Sequence, residues 1–337
     1  MLTVPGSVPF ETLEEAFGSS SLGIIVVKDL SPQFVDLRRS LLSYASYLAN
    51  LPQDELAKLE HEQSKWLVGW SCGKETLKDG HFDTLKGSFY VNCNPSFAET
   101  KIQAELADRY PGFPEYTALN VWPSESVLPG FEPAFRELCM LITETAALVA
   151  RACDQYAEGR IKGYKPGYLE HVVTTSHVSK ARLLHYFPQP YGSSSGDEDD
   201  WCATHVDHGC LTGLTSAMFV DEEKHPPVLS DGFAPLPELD GSPDPKAGLY
   251  IRSRSGETVK VGLPKDCLAF QTGEALETIT KGKFKAVPHF VRAAGPGKGG
   301  RIARNTLALF TQPNLWEMVD EKRDFAAFAK EIVERNH

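Results

Sequence analysis

Between residues 201 and 313 the chain breaks into short apolar runs, each ended by a turn signal, and this limits the fold more than any other feature. The runs lie at 210–220, 248–252, 259–261, 267–270, 287–291 and 306–310. Segments this short and this regularly punctuated predict an antiparallel sandwich or barrel.

The chain on either side reads differently. LGIIVV at 22–27 is a short apolar run, suited to a buried strand. Ser31 and Pro32 suit a helix start, and Phe34, Leu37, Leu41, Leu42, Ala45 and Leu48 follow at helical spacing. The LPQD stretch at 51–54 ends that helix and starts another, which carries Leu56 and Leu59. The section 66–130, rich in Gly, Pro, Trp and Tyr, reads as irregular. A long helix is predicted from about Glu132 to Ala157, with Gly159 closing it. The polar stretch GSSSGDEDD at 192–200 reads as a solvated loop, and Phe325, Phe328, Ala329 and Ile332 mark a last amphipathic helix. The expected organisation is a helical and mixed region at 1–177, a β core at 178–313 and a terminal helix at 314–337, packed as one structural unit.

Charge and cysteine usage narrow the function. Forty-five Asp and Glu against thirty-four Lys and Arg give a net charge of −11, which argues against nucleic acid as a partner. No stretch approaches eighteen consecutive apolar residues, so no membrane helix is expected. The N-terminus lacks the cationic start and apolar core of a secretory signal, which points to a cytoplasmic protein. Seven scattered cysteines without a CxxC pair read as reduced thiols. Nothing suggests a partner chain, so a monomer acting on a small molecule is expected.

Two His-x-Asp triplets occur, and context separates them. His81 and Asp83 lie in a turn-like stretch and read as solvated loop. His205 and Asp207 open a β-like segment, where residues i and i+2 project to one face and can converge on one ion. His289, among strand-like residues, is the best third ligand, whereas His208 points to the opposite face. Two His and one carboxylate on a β scaffold form the facial triad of non-haem Fe(II) oxygenases, with open positions for co-substrate and oxygen. Fifteen residues after His289 stands Arg304, with Thr306 on the same strand face, where a guanidinium and a hydroxyl can grip one carboxylate.

In this order the motifs resemble the isopenicillin-N-synthase-like branch of the Fe(II)/2-oxoglutarate-dependent dioxygenases, which includes plant flavonoid and hormone oxygenases. The resemblance spans nearly the whole chain. YLANLPQDELAK at 47–58 is similar to the family's helix junction, and NVWP at 120–123 with LPGF at 128–131 is similar to its N-x-W-P…P-G-F passage. LHYFP at 184–188, GLYIR at 248–252, Gly273 and LFTQP at 309–313 continue the match. The resemblance implies a mainly β protein with flanking helices, built on a double-stranded β-helix (jelly roll) core. It implies iron on His205, Asp207 and His289, and the C5 carboxylate of 2-oxoglutarate on Arg304 and Thr306. Thr306 replaces the usual Ser, and Phe187 and His185 stand where a Tyr and an Asn are usual. Tyr186 or His185 is expected to make the lost co-substrate contact instead.

The implied reaction consumes O2 and 2-oxoglutarate, yields succinate and CO2, and hydroxylates, desaturates or cyclises a small molecule, as in specialised metabolism. The alternatives are an oxidase like isopenicillin N synthase, which needs no 2-oxoglutarate, and an inactive scaffold. A zinc hydrolase is disfavoured, because no HExxH-type signature accompanies the triad. The expected substrate pocket draws on Trp66, Trp70, Phe89, Tyr90, Arg182, Phe270 and Trp316.

Overall fold

Apolar side chains three and four apart build the first helices, α1 (Phe10–Phe17) and α2 (Phe34–Ala49), with strand β1 (Ile24–Val27) between them. The computed structural model describes residues 1–75, 82–93, 100–188, 202–230, 232–292 and 301–336. α2 begins three residues beyond Ser31, with Gln33 at its cap, and α3 (Gln53–Lys58) follows Pro52. The stretch 66–130 is more ordered than its composition suggests. It contains β2 (Gly69–Cys72), β3 (Lys86–Asn92), α4 (Thr100–Arg109) and α5 (Pro114–Thr117). Every residue of β3 is buried. Polar Lys86, Ser88 and Asn92 occupy one face and Phe89 and Val91 the other, so a buried polar face disguised the strand.

The long helix α6 (Phe131–Arg160) and α7 (Tyr168–Thr175) precede β4 (Lys180–Tyr186) and β5 (Cys202–His205). The run 210–220 divides at Ser216 and Ala217 into β6 (Leu211–Thr215) and β7 (Met218–Asp221). Then come β8 (Gly248–Arg252), β9 (Thr258–Lys260), β10 (Leu268–Thr272), α8 (Glu274–Ile279), β11 (His289–Arg292), β12 (Ile302–Phe310) and α9 (Phe325–Asn336).

An eight-stranded sheet runs β1-β10-β6-β12-β4-β3-β2, with β7 also on β12, and a four-stranded sheet runs β5-β11-β8-β9. From β4 onward the chain passes back and forth between the two antiparallel sheets, which makes a double-stranded β-helix. The larger sheet also recruits β1, β2 and β3 from before residue 178. Its outer face packs on helices, where Phe89 meets Phe131 and Phe135 of α6 edge-on. Gly213 lacks a side chain because a Cβ there would run into Ile142 of α6. Fully buried Arg38 of α2 grips Glu238 at 2.8 Å and the carbonyls of Ser216 and Ala217, tying the helix layer to the rim of the inter-sheet cavity. Among the described residues no helix is long and apolar enough to cross a membrane.

Candidate metal centre

Strand β5 ends at His205 and β11 starts at His289, and antiparallel pairing sets these two residues directly opposite one another. Their ring centroids are 4.3 Å apart. Asp207, two residues beyond His205, places Oδ1 at 3.6 Å from His205 Nε2 and 3.7 Å from His289 Nε2. The potential ligand atoms of the three residues all lie within 4.8 Å of one another. Among the described residues no other trio of His, Cys, Asp or Glu converges in this way.

The backbone around Asp207 is fixed by the first turn of α8. Glu274 N–H donates to the Asp207 carbonyl at 2.8 Å, and Gly273 N–H donates to that of Cys210 at 2.9 Å. Position 273 requires glycine, since a Cβ would collide with the Gly209 carbonyl oxygen. Asp207 and His289 are buried, whereas the His205 ring stands at the cavity mouth. Burial pushes the His289 imidazole pKa down, the Asp207 carboxylate opposes this, and His205 lowers it further. The ring is thereby held neutral, the state that offers a nitrogen lone pair to a metal. Two imidazoles and one carboxylate suit a divalent first-row ion of the non-haem iron kind.

The other histidine candidates have different surroundings. His81 lies outside the described residues. Asp83 is buried, forms an ion pair with Lys86 Nζ at 2.6 Å and accepts from Leu85 N–H at 3.0 Å, so its carboxylate serves the larger sheet. His208 turns to Glu274, with Nδ1 at 3.1 Å from Oε2.

The facing sheet supplies a buried cation. β12 pairs with β4 so that Arg304 lies opposite Tyr186 and Thr306 opposite Leu184. The Arg304 guanidinium is buried over the Tyr186 ring, 4.8 Å from its centroid. Arg304, Thr306, Tyr186 and the three candidate ligands His205, Asp207 and His289 all line one cavity of about 420 Å³. His185, expected there too, is not in it. Strand alternation turns it to the helix face, where Nδ1 lies 2.8 Å from Asn305 Oδ1, and Asn305 in turn donates to Ser46 of α2.

Most of the aromatic residues expected in the pocket are elsewhere for the same reason. Trp70 and Phe89 are register partners on the helix-facing side of β2 and β3, and Phe270 shares that side on β10, packed near Gly213. Trp66 lies before β2 beneath Lys74, and Trp316 lines a separate groove with Tyr168 and Met318. Arg182 does line the cavity. Its guanidinium donates to Ser88 Oγ at 2.8 and 3.0 Å, pairs with Glu75, and sits 5.0 Å from the Tyr90 ring centroid, so Tyr90 supports it from behind. Burial would raise the Glu75 carboxyl, but Arg182, Lys86 and Tyr90 together hold it down at about 2. Sequence reading missed Leu184, Leu214, Phe219, Leu249, Val261 and Phe310, which also line the cavity. Counting in twos from Tyr186 or Arg304 finds Leu184 and Phe310; the others required the tertiary fold.

Solved structures share this architecture. A Caulobacter crescentus protein described as a 2OG-Fe(II) oxygenase family member aligns with a TM-score of 0.65 at 18% identity, over 97% of this chain and 95% of that one. The fold is that of the 2OG-Fe(II) oxygenases. A full-length Neurospora crassa protein, in complex with alpha-KG and thymine, aligns with a TM-score of 0.64 at 17% identity, over 97% of this chain and 90% of its own. The rice dioxygenase for auxin oxidation gives 0.56 at 15% identity, over 100% and 94%. No protein-family model and no curated protein matches the chain. At these identities the likeness to 2OG-Fe(II) oxygenases is one of fold, and the site chemistry rests on the residues themselves.

Proposed function

We propose that this protein is an Fe(II)/2-oxoglutarate-dependent oxygenase that oxidises a small molecule. The observation that carries the reading is one cavity bearing both a His-Asp-His trio and a buried Arg304 on the opposite sheet. His205, Asp207 and His289 would hold the iron. Arg304 and Thr306, with Tyr186 beneath the guanidinium, would hold the C5 carboxylate of 2-oxoglutarate. A guanidinium lining a cavity suits a carboxylate, because its planar donors make strong charge-assisted hydrogen bonds to two oxygens. Iron bound there supplies the redox chemistry that couples O2 and 2-oxoglutarate to substrate oxidation, releasing succinate and CO2. Burial of Asp207, His289 and Arg304 strengthens each charged contact that they make.

Arg182 is the proposed substrate anchor. It lies opposite Ala308 on β12, and Ala308 lies opposite Leu214 on β6. The small alanine leaves space between the metal side and the guanidinium. Leu184, Leu249, Val261 and Phe310 add apolar surface around that space. A compact apolar body with one polar or anionic group at Arg182 fits this distribution. The thymine complex of the Neurospora crassa protein supports the small-molecule class.

The deciding experiment adds Fe(II) and then 2-oxoglutarate anaerobically and follows the visible charge-transfer band of the pair. Oxygen is then admitted and succinate is counted against substrate consumed. A band that forms, and succinate that tracks substrate, are expected. Turnover that is indifferent to leaving out 2-oxoglutarate would replace this reading with the oxidase one.

A further inference from the structure

Two buried polar side chains behind the candidate ligands belong neither to the ligand set nor to the anion grip. Thr212 on β6 is 1% exposed, and its hydroxyl donates to Asp207 Oδ2 at 2.6 Å. Gln271 on β10 is 0% exposed, and its Nε2 lies 2.7 Å from His289 Nδ1 and 3.5 Å from the Val287 carbonyl oxygen. Its Oε1 is buried and has no hydrogen-bond partner among the described residues. β6 and β10 are neighbours, and their register pairs Thr212 directly with Gln271. One rung of the larger sheet thus reaches two ligands that come from different parts of the chain.

The placement is costly unless it serves the site. A primary amide without its full set of hydrogen bonds loses stability in an interior, where an apolar residue such as neighbouring Leu268 or Phe270 would not. We propose that Thr212 and Gln271 act as a cross-strand positioning pair that aims Asp207 and His289 at the metal; this rests on the iron reading above. The Thr212 hydroxyl occupies Oδ2 and leaves Oδ1 facing both imidazole Nε2 atoms, which favours coordination through one oxygen. A metal on His289 Nε2 keeps the ring proton on Nδ1, and the Gln271 amide, turned over, accepts that proton through Oε1. Because the two residues share one rung, a shift of β6 against β10 misaims both ligands together.

The test titrates the full-length, metal-free chain anaerobically with Fe(II) and, separately, with Co(II), whose visible spectrum reports coordination geometry. Thr212→Val and Gln271→Leu are each expected to weaken binding about tenfold to a hundredfold and to change the Co(II) spectrum. Thr212→Ser, which keeps the hydroxyl, should restore both. If the two act as a unit, the double variant loses less than the product of the single losses. Should Gln271→Leu fail to fold, Gln271→Asn decides, because its amide is one methylene too short to reach Nδ1 and the same weakening is expected. Unchanged affinity and spectrum in these variants, or a full product in the double variant, overturns the pair. Failure of the unsubstituted chain to bind either metal overturns the iron reading instead.

Discussion

The two sheets differ in how they are protected and in what they carry. In the larger sheet β3 and β10 are buried at every position, with helices behind them. In the smaller sheet β8 is mostly half-buried and β9 is exposed at two of its three residues. Yet the smaller sheet and its adjoining turn carry the candidate metal ligands, while the larger one carries the cation and the residues that touch those ligands from behind. The contrast teaches that a candidate metal site can sit on the thinner layer if the thicker one holds its orientation.

The sharpest way to break this contrast is to remove a ligand from the thin layer. Asp207→Ala or His289→Ala should abolish Fe(II) binding in an anaerobic titration, while His81→Ala should leave it intact. Full iron occupancy in Asp207→Ala would end the assignment.

On the thick layer, Arg304→Ala should raise the apparent KM for 2-oxoglutarate about tenfold to a hundredfold, from the roughly 1.5–3 kcal/mol of a charge-assisted contact. The substrate KM should move far less, and the charge-transfer band should weaken. Equal effects on both constants would argue against a dedicated anion grip.

Stability separates the layers next. Phe89→Ala empties a site packed by Phe131, Phe135 and Trp122 and should cost about 3–5 kcal/mol in denaturant unfolding. Tyr250→Ala on β8 removes one stacked contact with Phe290 and should cost nearer to ~1 kcal/mol. Similar losses would mean that the smaller sheet is as tightly packed as the larger.

The smallest expected effect concerns pH. Burial lowers the His185 pKa against the opposing pull of Glu222, so below the ordinary value of 6.5 the unfolded chain takes up the proton more readily than the folded one. Stability therefore falls as pH drops through that value towards the lower folded one. His185→Gln should flatten the dependence of Tm on pH between about 7 and 5, where imidazole titrates. An unchanged slope would show that the acid sensitivity lies elsewhere.

Much of this architecture is legible in the chain. Short runs ended by Gly, Pro, Asp and Ser announce antiparallel strands because each run is too short to bury itself as a helix. His205 and Asp207 can be read together because two residues of extended chain share a face. The same alternation predicts that Tyr186 and Arg182 face one way and His185 the other, a reading the motif comparison alone obscured. β3 was harder, since its polar side chains are buried against charged partners, Lys86 on Asp83, Ser88 under Arg182 and Asn92 on Lys180, and do not look like a strand in water. Local spacing therefore determined most strands of the β core, the candidate ligand residue types and their order. Only the tertiary structure decided that His289 would lie opposite His205, that Phe89 and Phe270 would face helices, and that Thr212 would share a rung with Gln271. Those facts depend on register between strands far apart in sequence, and register is set by how whole faces bury against one another, which no local pattern contains.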